Sequence, residues 1–384
     1  MLRSQDLILI SDDWGRHAFS CQHLVEQLLP FNRVLWVNTI GYRQLKFTVY
    51  DTARAFEKIV NWAHLRPSDK THPSVTPNLR ILNPVCLPFG THTAIREFNA
   101  HSVSRSVRKA VRGWNFQRPI LITTLPIAAD FIERLSGNRA VYYCVDDYTL
   151  WPGQNGLLMR ELEERLLGQV DLVVATSEKL RRTRSNGRRQ TALLTHGVDL
   201  PLFQSVGVVP SSPEIQALTR PIVGYYGLVD ERCDLPLIAT LARSLRDVTF
   251  LIIGSWKVPR KPLAGLSNVK LVGKVPYAEL PAYLASVDLL MLPYYINELA
   301  ESINPLKVKE YLATGLPVVS TPLPEVTKLG VFVCVASNPG EFVRAVRAGL
   351  GRGRHYSTEL ATFLQKETWN AKAEEFSEMI QGLL

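Results

Sequence analysis

The chain opens with the stretch LILISDDWGRHAFSCQHLVEQLLPFNRVLWVN, residues 7–38. Leu7–Ile10 is a short apolar run without polar alternation, which predicts a buried parallel strand. After a polar loop, Gln22–Leu29 carries apolar residues at helical spacing, and Pro30 ends that helix. Arg33–Asn38 predicts the next strand. Because strand, loop, helix and strand in this order form a βαβ unit, we expect a doubly wound α/β sheet.

The same alternation continues and divides the chain into two series. Further strands are predicted at Pro119–Thr123, Ala140–Val145, Leu172–Thr176, Thr249–Ile253, Val269–Val272, Leu289–Leu292 and Val318–Ser320, with another starting at Ile222. Between the series, GVVPSSPE has linker composition. We therefore expect an N-terminal Rossmann-like domain over residues 1–205, a linker over 206–220, a second Rossmann-like domain over 221–362, and a C-terminal helix over 363–384 that crosses back to the first.

Composition and charge limit the classes of protein that fit. The 384 residues are 46% hydrophobic and 21% charged, which suits two globular domains and excludes global disorder. Residues 1–200 carry 26 basic and 18 acidic residues, against 18 and 17 in the remainder, so most of the net charge of +9 belongs to the first half. Five scattered cysteines favour a reducing cytoplasm over a disulfide framework or a zinc site. No apolar run approaches the ~18 residues that span a bilayer.

The segment ESINPLKVKEYLATGLP, residues 301–317, is the most informative for chemistry. Asn304 predicts a helix N-cap and Pro305 the first helical position, so a short helix should present free backbone N–H groups and its positive dipole end to an anion. Lys307 lies in the first turn, and Glu310 follows on about the same face. This spacing suits a diphosphate beside a ribose diol, and it suits a surface ion pair equally well.

A second segment, VYYCVDDY, places two carboxylates directly after a predicted strand. Asp146 and Asp147 would face a cleft there, and one of them could serve as a general base toward an acceptor hydroxyl. Asp147 is the slightly preferred candidate. The alternative is that one aspartate only caps the next helix or turn.

The loop after the first strand supplies a third set of candidates, because loops at this edge of a sheet commonly approach ligands. Its members are Asp13, Trp14, Arg16, His17 and Ser20. Trp14 offers a flat apolar ring on which a sugar could stack. The aspartate could equally be a turn residue.

The passage PLK followed by EYLATGLPVVSTPLPEV resembles the nucleotide-binding helix of GT-B glycosyltransferases, in particular the family-4-like group. Other segments occur in family order: SCQHLVEQLL, VYYCVDDY, ELEERLLGQVDLVVATSEKL, THGVDLPLF, VGYYGLVDERCDLPLI and NVKLVGKVPYAELPAYLASVDLLMLPY. The resemblance spans nearly the whole chain and implies two Rossmann-like domains facing across a cleft. Similar proteins are bacterial enzymes that build exopolysaccharides, teichuronic acids and O-antigens.

The resemblance also implies roles for individual residues in binding a nucleotide sugar. Glu310 matches the second Glu of the family's E-x7-E element, which holds the ribose hydroxyls. The remaining implied contacts are Lys307, Asn304, Pro305, Gly227 and Arg232 for the diphosphate, and Gly273 and Lys274 for the base. The first Glu of the element should stand at position 302, but Ser302 is there. Glu301, one residue away, is the candidate to replace it beside the donor sugar.

The implied activity is metal-independent transfer of a sugar from a nucleoside diphosphate sugar, with UDP favoured, to a saccharide or lipid-linked acceptor. No cofactor is expected, and the family resemblance favours a retaining course. Three alternatives stay open: inverting transfer with an Asp base, a nucleotide-sugar epimerase, and an inert GT-B-like binding subunit.

A basic helix is predicted over Ala100–Trp114, with valines on one face and four bases elsewhere: Arg105, Arg108, Lys109 and Arg112. These bases predict peripheral contact with an anionic membrane surface, where a lipid-linked acceptor would lie. A merely solvated face is the alternative. Nucleic acid is not expected, because interleaved aromatic residues are missing from the basic runs.

Overall fold

The computed structural model describes residues 1–15, 19–38, 77–87, 91–135, 139–185 and 190–383. The chain divides into two compact units. The first comprises Met1–Leu194 together with Ala373–Leu384, and the second comprises Thr195–Lys372. Each unit is a parallel sheet covered by helices.

The first unit is built on a seven-stranded parallel sheet in the described residues, with the order β3-β2-β1-β4-β5-β6-β7. Its strands are β1 (Asp6–Ser11), β2 (Arg33–Asn38), β3 (Leu79–Leu82), β4 (Ile120–Thr123), β5 (Ala140–Cys144), β6 (Leu172–Ala175) and β7 (Gln190–Leu193). Its helices are α1 (Ser20–Leu28), α2 (Thr93–Gly113), α3 (Gly156–Gln169) and α4 (Glu178–Arg184), with 3₁₀ turns at Pro126–Asp130 and Ile132–Leu135. The strand order reverses between β1 and β4.

The second unit has a six-stranded parallel sheet among its described residues, ordered β10-β9-β8-β11-β12-β13. The strands are β8 (Ile222–Tyr226), β9 (Thr249–Ile253), β10 (Val269–Val272), β11 (Leu289–Leu292), β12 (Val318–Ser320) and β13 (Cys334–Val335). The helices are α5 (Leu200–Gln204), α6 (Pro213–Gln216), α7 (Leu235–Ser244), α8 (Leu280–Leu284), α9 (Glu298–Ser302), α10 (Leu306–Ala313), α11 (Pro324–Thr327), α12 (Pro339–Leu350) and α13 (Thr358–Lys366). Short 3₁₀ turns lie at Lys261–Leu263, Tyr277–Glu279 and Gly330–Phe332, and α14 (Trp369–Gln381) follows α13.

The central strands are apolar without alternation because both faces of each sheet are covered there. In β1, Ile8 and Ile10 belong to one hydrophobic cluster, while Leu7 and Leu9 belong to another on the opposite face. Successive side chains of a strand point to opposite faces, so alternate residues of this strand are buried in the cores on the two sides of the sheet. The predicted doubly wound α/β fold is confirmed.

The domain bounds differ from those expected from the sequence. The first unit ends at Leu194 rather than 205, and the stretch 206–220 is not a linker. It includes helix α6, and Val206 and Ile215 are buried in the core of the second unit. The Pro and Ser residues that indicated a linker instead surround a short helix. At the C-terminus, Ala373–Leu384 joins the first unit, where Phe376 and Ile380 lie in its core.

Candidate functional site

The strongest candidate site lies in the second unit where its strand order reverses. The chain runs from β8 to β9 on one side and later returns to β11 on the other side, so β8 and β11 are neighbours. Ligands of open α/β sheets bind at the carboxyl ends of such strands. Gly227 follows β8, Tyr294 follows β11, and α10 supplies Lys307 and Glu310.

Lys307 is held against the end of β8. Its side chain lies over Gly227, where an added Cβ would lie 2.0 Å from the Lys307 Cε. Gly227 also has φ 130°, so the backbone favours glycine, and a larger residue there would displace the Lys307 side chain. The Lys307 amine donates a hydrogen bond to the Tyr294 hydroxyl at 2.7 Å. The half-buried amine is therefore fixed by a neutral partner and keeps its positive charge available.

Arg232 brings a second cation to the same tyrosine. Its guanidinium pairs with Asp230 at 2.7 Å and lies 5.7 Å from the centre of the Tyr294 ring, with the Lys307 amine 5.4 Å from that centre. Burial alone raises the pKa of Asp230, but the bonds and charge of Arg232, with Lys307 nearby, lower it below its usual value. Two cations thus converge on one ring, and they are the two that the family resemblance assigned to the diphosphate.

Glu310 is buried, with 3% of its surface exposed, so the solvent-exposed ion pair with Lys307 is wrong. Its two carboxylate oxygens accept hydrogen bonds from the Tyr226 hydroxyl at 2.6 Å and the Tyr277 hydroxyl at 2.8 Å. Burial, with Glu310 beside it, raises the pKa of Tyr226 well above its usual value, so this hydroxyl remains a donor. A carboxylate oxygen can accept more than one hydrogen bond, so Glu310 is of the right chemistry to receive a ribose hydroxyl as well.

The helix that carries both residues begins one position later than predicted. Pro305, with ψ 111°, is the N-cap, so Asn304 does not hold that position. Proline cannot donate a backbone hydrogen bond, and its fixed φ suits the boundary residue as well as the first turn. Asn304 and Pro305 are both buried at the start of α10.

The remaining predicted donor residues lie around this helix and sheet. Glu301 is half-buried on α9, while the Ser302 hydroxyl donates to the Leu299 carbonyl and is turned into its own helix. Gly273 and Lys274 are exposed immediately after β10.

Sequence reasoning missed Gly254 and the tyrosines of this site. Gly254 ends β9 with φ 144°, and a Cβ there would lie 1.9 Å from the Gly227 carbonyl oxygen. Tyr226, Tyr277 and Tyr294 are the hydroxyl donors or acceptors that fix Glu310 and Lys307. The available signal was the position of Tyr226 and Tyr294 at or just after strand ends, but tyrosines in such runs also fit a plain core.

In the first unit, Asp147 shows the capping alternative that the sequence left open. One of its oxygens accepts from the Thr149 amide at 3.1 Å and the Thr149 hydroxyl at 2.6 Å, and the other pairs with Arg184 at 3.0 Å. Arg184 is itself buried and pairs with Glu163 at 2.9 Å. Asp146 beside Asp147 is half-buried.

The loop after β1 does not present the expected surface. Trp14 is 6% exposed and packs edge-on against Trp36 with ring centres 4.8 Å apart, so its predicted role as a sugar platform is wrong. Ser20 is buried with its hydroxyl 2.7 Å from that of Tyr143. Asp13 is half-buried. The predictions for Arg16 and His17 lie outside the described residues.

The basic helix is present as α2, which begins before the predicted start. Val103 and Val107 are buried on one face, as the spacing predicted. The four bases Arg105, Arg108, Lys109 and Arg112 are exposed. An exposed basic face is therefore confirmed, whereas its contact with a membrane stays a prediction.

Two features are absent from the described ranges, a membrane-spanning helix and a cluster of metal ligands. None of the helices there combines the length and the apolar character needed to cross a bilayer. In the same ranges, no group of three or more His, Cys, Asp or Glu side chains lies close enough together to hold a metal ion.

Comparison with known proteins decides the class of this site. Residues 220–351, all of them within the second unit, match the family model of the glycosyl transferases group 1. The second unit carries a group 1 glycosyltransferase domain. The chain is also 26% identical over 308 residues to TuaH of Bacillus subtilis (strain 168), which is named as a teichuronic acid biosynthesis glycosyltransferase; the match covers 73% of this chain and 76% of that protein. The predicted enzyme class is confirmed.

Solved structures confirm the GT-B fold of this glycosyltransferase. Sucrose-phosphate synthase from Thermosynechococcus elongatus aligns with a TM-score of 0.71 and 16% identity over 99% of both chains. Alr3699/HepE from Anabaena, solved with UDP and glucose, aligns with a TM-score of 0.62 and 16% identity over 97% of this chain and 99% of its own. At these identities the alignments establish the fold only.

Proposed function

We propose that this glycosyltransferase moves a sugar from a UDP-sugar to a saccharide or lipid-linked saccharide during assembly of a bacterial surface polysaccharide. The observation that carries the proposal is the placement of Lys307 and Glu310 by one helix at the β8–β11 reversal. The name of TuaH supports a polysaccharide product, and the UDP and glucose bound to Alr3699/HepE support the donor.

The diphosphate leaving group gains negative charge as the bond to the sugar breaks. Lys307 and Arg232, both beside Tyr294, would supply positive charge at that point, and the start of α10 would add backbone N–H donors. Because these groups are held in place before the reaction, they need little reorganisation. We therefore propose that the transfer proceeds without a metal ion.

The remaining contacts would fix the rest of the donor. Glu310 is proposed to accept from the ribose hydroxyls while the tyrosines hold its carboxylate in position. The exposed turn at Gly273 and Lys274 is proposed to meet the base. Glu301 on α9 is proposed to meet the transferred sugar in place of Ser302.

We propose a retaining course. The family-4-like resemblance favours it, and the pairing of Asp147 with Arg184 and Thr149 weakens the case for an aspartate base. Asp146 remains a candidate contact for the acceptor, since it is half-buried after β5. Inversion would require an aspartate that accepts a proton in the transition state.

The decisive experiment is a donor screen. The purified chain would be incubated with a panel of UDP-, GDP- and dTDP-sugars, with and without saccharide and lipid-linked acceptors, and products followed by mass spectrometry. We expect acceptor-dependent release of UDP that persists in EDTA, because protein cations replace the metal. Conversion of the donor sugar without an acceptor would instead support an epimerase. UDP binding without release under any condition would support an inert binding subunit, and no nucleotide binding would contradict the proposal.

We further propose that the exposed bases of α2 hold the enzyme at the cytoplasmic face of an anionic membrane. Each basic residue near such a surface contributes about 1 kcal/mol. The test is sedimentation with vesicles of phosphatidylglycerol and phosphatidylcholine. The triple variant Arg105→Gln, Arg108→Gln and Arg112→Gln should lose binding, whereas a control of equal charge change, Arg243→Gln, Arg246→Gln and Arg352→Gln, should keep it. Equal binding by both would leave the α2 bases as a solvated face.

A further inference from the structure

The second unit contains a buried cluster of charges that the proposed chemistry does not use. Lys309, on α10 between Lys307 and Glu310, is only 4% exposed. Its amine pairs with the Glu367 carboxylate and donates to the Thr195 hydroxyl at 2.9 Å. Burying an ammonium is costly unless it is fully paired, so this position is strongly specified.

The partners of Lys309 lie next to the two points where the chain passes from one unit to the other. The chain passes between its two units at Leu194–Thr195 and again at Lys372–Ala373. The Lys309 amine donates to the carbonyl of His196, just after the first crossing. Glu367 pairs with Lys372 at 3.1 Å, at the second crossing. Lys309 is thus bonded directly to residues at the first crossing and, through Glu367, to Lys372 at the second.

The two segments are also bonded to each other inside the second unit. The Val198 amide donates to the Glu367 carbonyl at 2.8 Å, and the Trp369 amide donates to the Val198 carbonyl at 3.3 Å. The Thr195 hydroxyl donates to the Glu367 carboxylate at 3.1 Å. Burial raises the pKa of Glu367, but Lys309 and Lys372 lower it below its usual value, so the carboxylate is ionised at neutral pH. The crossings therefore form one bonded cluster with Lys309.

A second contact joins the first crossing to Glu310. Helix α5 follows this crossing directly and packs against α10. Its fully buried Phe203 stacks on Tyr226 with ring centres 6.0 Å apart and meets Tyr277 edge-on at 5.7 Å. These are the two tyrosines that donate to the Glu310 carboxylate. A ligand that shifts Glu310 would consequently displace groups packed on α5.

We propose that Lys309 is a positioning residue that couples the nucleotide site to both chain crossings. The inference rests on the proposed function, because UDP is its probe. A short helix behaves as one body, so ligand contacts at Lys307 and Glu310 are transmitted through the Lys309 amine to Thr195 and Glu367. Occupancy of the site then orders residues 195–204 and 367–372, although these residues do not contact the nucleotide.

The test is amide hydrogen exchange of the full chain with and without UDP. In wild type, UDP should slow exchange in α10 and, by at least about fivefold, in residues 195–204 and 367–372, since allosteric couplings begin near that size. In Lys309→Met the slowing in α10 should remain, as should that in α5, which Phe203 joins to the tyrosines of Glu310 without Lys309. The remote slowing in residues 195–198 and 367–372, whose bonds pass through the Lys309 amine, should be lost. The matched control is Lys366→Met, which removes an exposed lysine next to Glu367 and should behave as wild type.

Two further variants separate coupling from a merely structural role. Lys309→Arg keeps the charge and donors and should restore the remote slowing. Glu367→Gln should lose it, and this variant carries the test if Lys309→Met does not fold. UDP binding by wild type, measured by calorimetry, without remote slowing would overturn this inference alone, as would remote slowing that persists in both Lys309→Met and Glu367→Gln. Absence of UDP binding by wild type would overturn the proposed function and the inference with it.

Discussion

The two units use the same parallel topology but treat the charges at their strand ends differently. After β5 in the first unit, Asp147 is closed into an ion pair with buried Arg184. After β8 and β11 in the second, the Lys307 amine is held by the neutral Tyr294 hydroxyl. The Asp147 carboxylate is engaged by Arg184 and Thr149, whereas the Lys307 amine, positioned by a hydroxyl, can still act on a ligand. The fold brings charged side chains to the carboxyl ends of the strands in both units. The bonding partners of each side chain then decide whether its charge can act on a ligand.

The largest expected effect is on stability, at the ion pair of Asp147 and Arg184 in the first unit. Arg184→Met would leave Glu163 and Asp147 buried without their counter-ion, so the free energy of unfolding should fall by about 3–5 kcal/mol. Urea unfolding measures this loss. The control Arg182→Met removes an exposed arginine of the same helix and should change stability by less than about 1 kcal/mol. A loss below about 1 kcal/mol for Arg184→Met would show that Arg184 does not hold Asp147 and Glu163 in place.

The next effect is on the cationic side. Lys307→Met should lower the transfer rate by about 10²-fold, the usual cost of removing one preorganised donor. UDP affinity should fall while uridine affinity stays near that of wild type, because only UDP carries the diphosphate. Calorimetry with both ligands checks this split, with exposed Lys270→Met as the control. Equal losses for UDP and uridine would contradict the phosphate contact.

Asp147→Asn distinguishes a carboxylate that stabilises the fold from one that acts as a general base. Loss of the bonds to Arg184 and Thr149 should reduce the free energy of unfolding by about 1–3 kcal/mol. Transfer should fall by much less than the 10²–10⁴-fold that a general base contributes. A rate loss of that size at unchanged stability would restore the inverting mechanism.

The smallest effect concerns His196, beside the Lys309 cluster. Burial, with Lys309 and Lys372, lowers the pKa of His196 to about 3. The unfolded chain takes up this proton near pH 6.5 and the folded chain does not, so stability should fall between about pH 6.5 and 4.5, by up to about 1.4 kcal/mol per pH unit. His196→Asn should flatten that slope, and exposed His101→Asn should leave it. Urea unfolding at pH 6.5, 5.5 and 4.5 decides, and an unchanged slope in His196→Asn would be the contrary result.

The sequence predicted the strands well because both faces of each sheet are buried. Arg33–Asn38, Thr249–Ile253 and Leu289–Leu292 have the bounds that their apolar runs indicated. The sequence also predicted the short helix that carries Lys307 and Glu310, which the structure has at Leu306–Ala313. By contrast, the prediction that Trp14 forms a surface for a sugar was wrong. An aromatic residue after a strand fits a ligand platform and a core position equally well, and only the packing of Trp14 on Trp36 distinguishes the two.

Long-range pairing was the other limit. Arg184 reaches Asp147 from a different helix, and Lys309 reaches Glu367 across 58 positions of sequence. Such partners leave no local spacing that a single sequence could show. The linker prediction failed for a similar reason, because Ile215 is buried by residues distant in the chain.

The most direct test of the central claim is a crystal structure of the chain with UDP. The account predicts that the diphosphate lies against the Lys307 amine and the start of α10, with a ribose hydroxyl within hydrogen-bond distance of Glu310. UDP bound elsewhere, with Lys307 still donating to Tyr294 and remote from any phosphate, would contradict it.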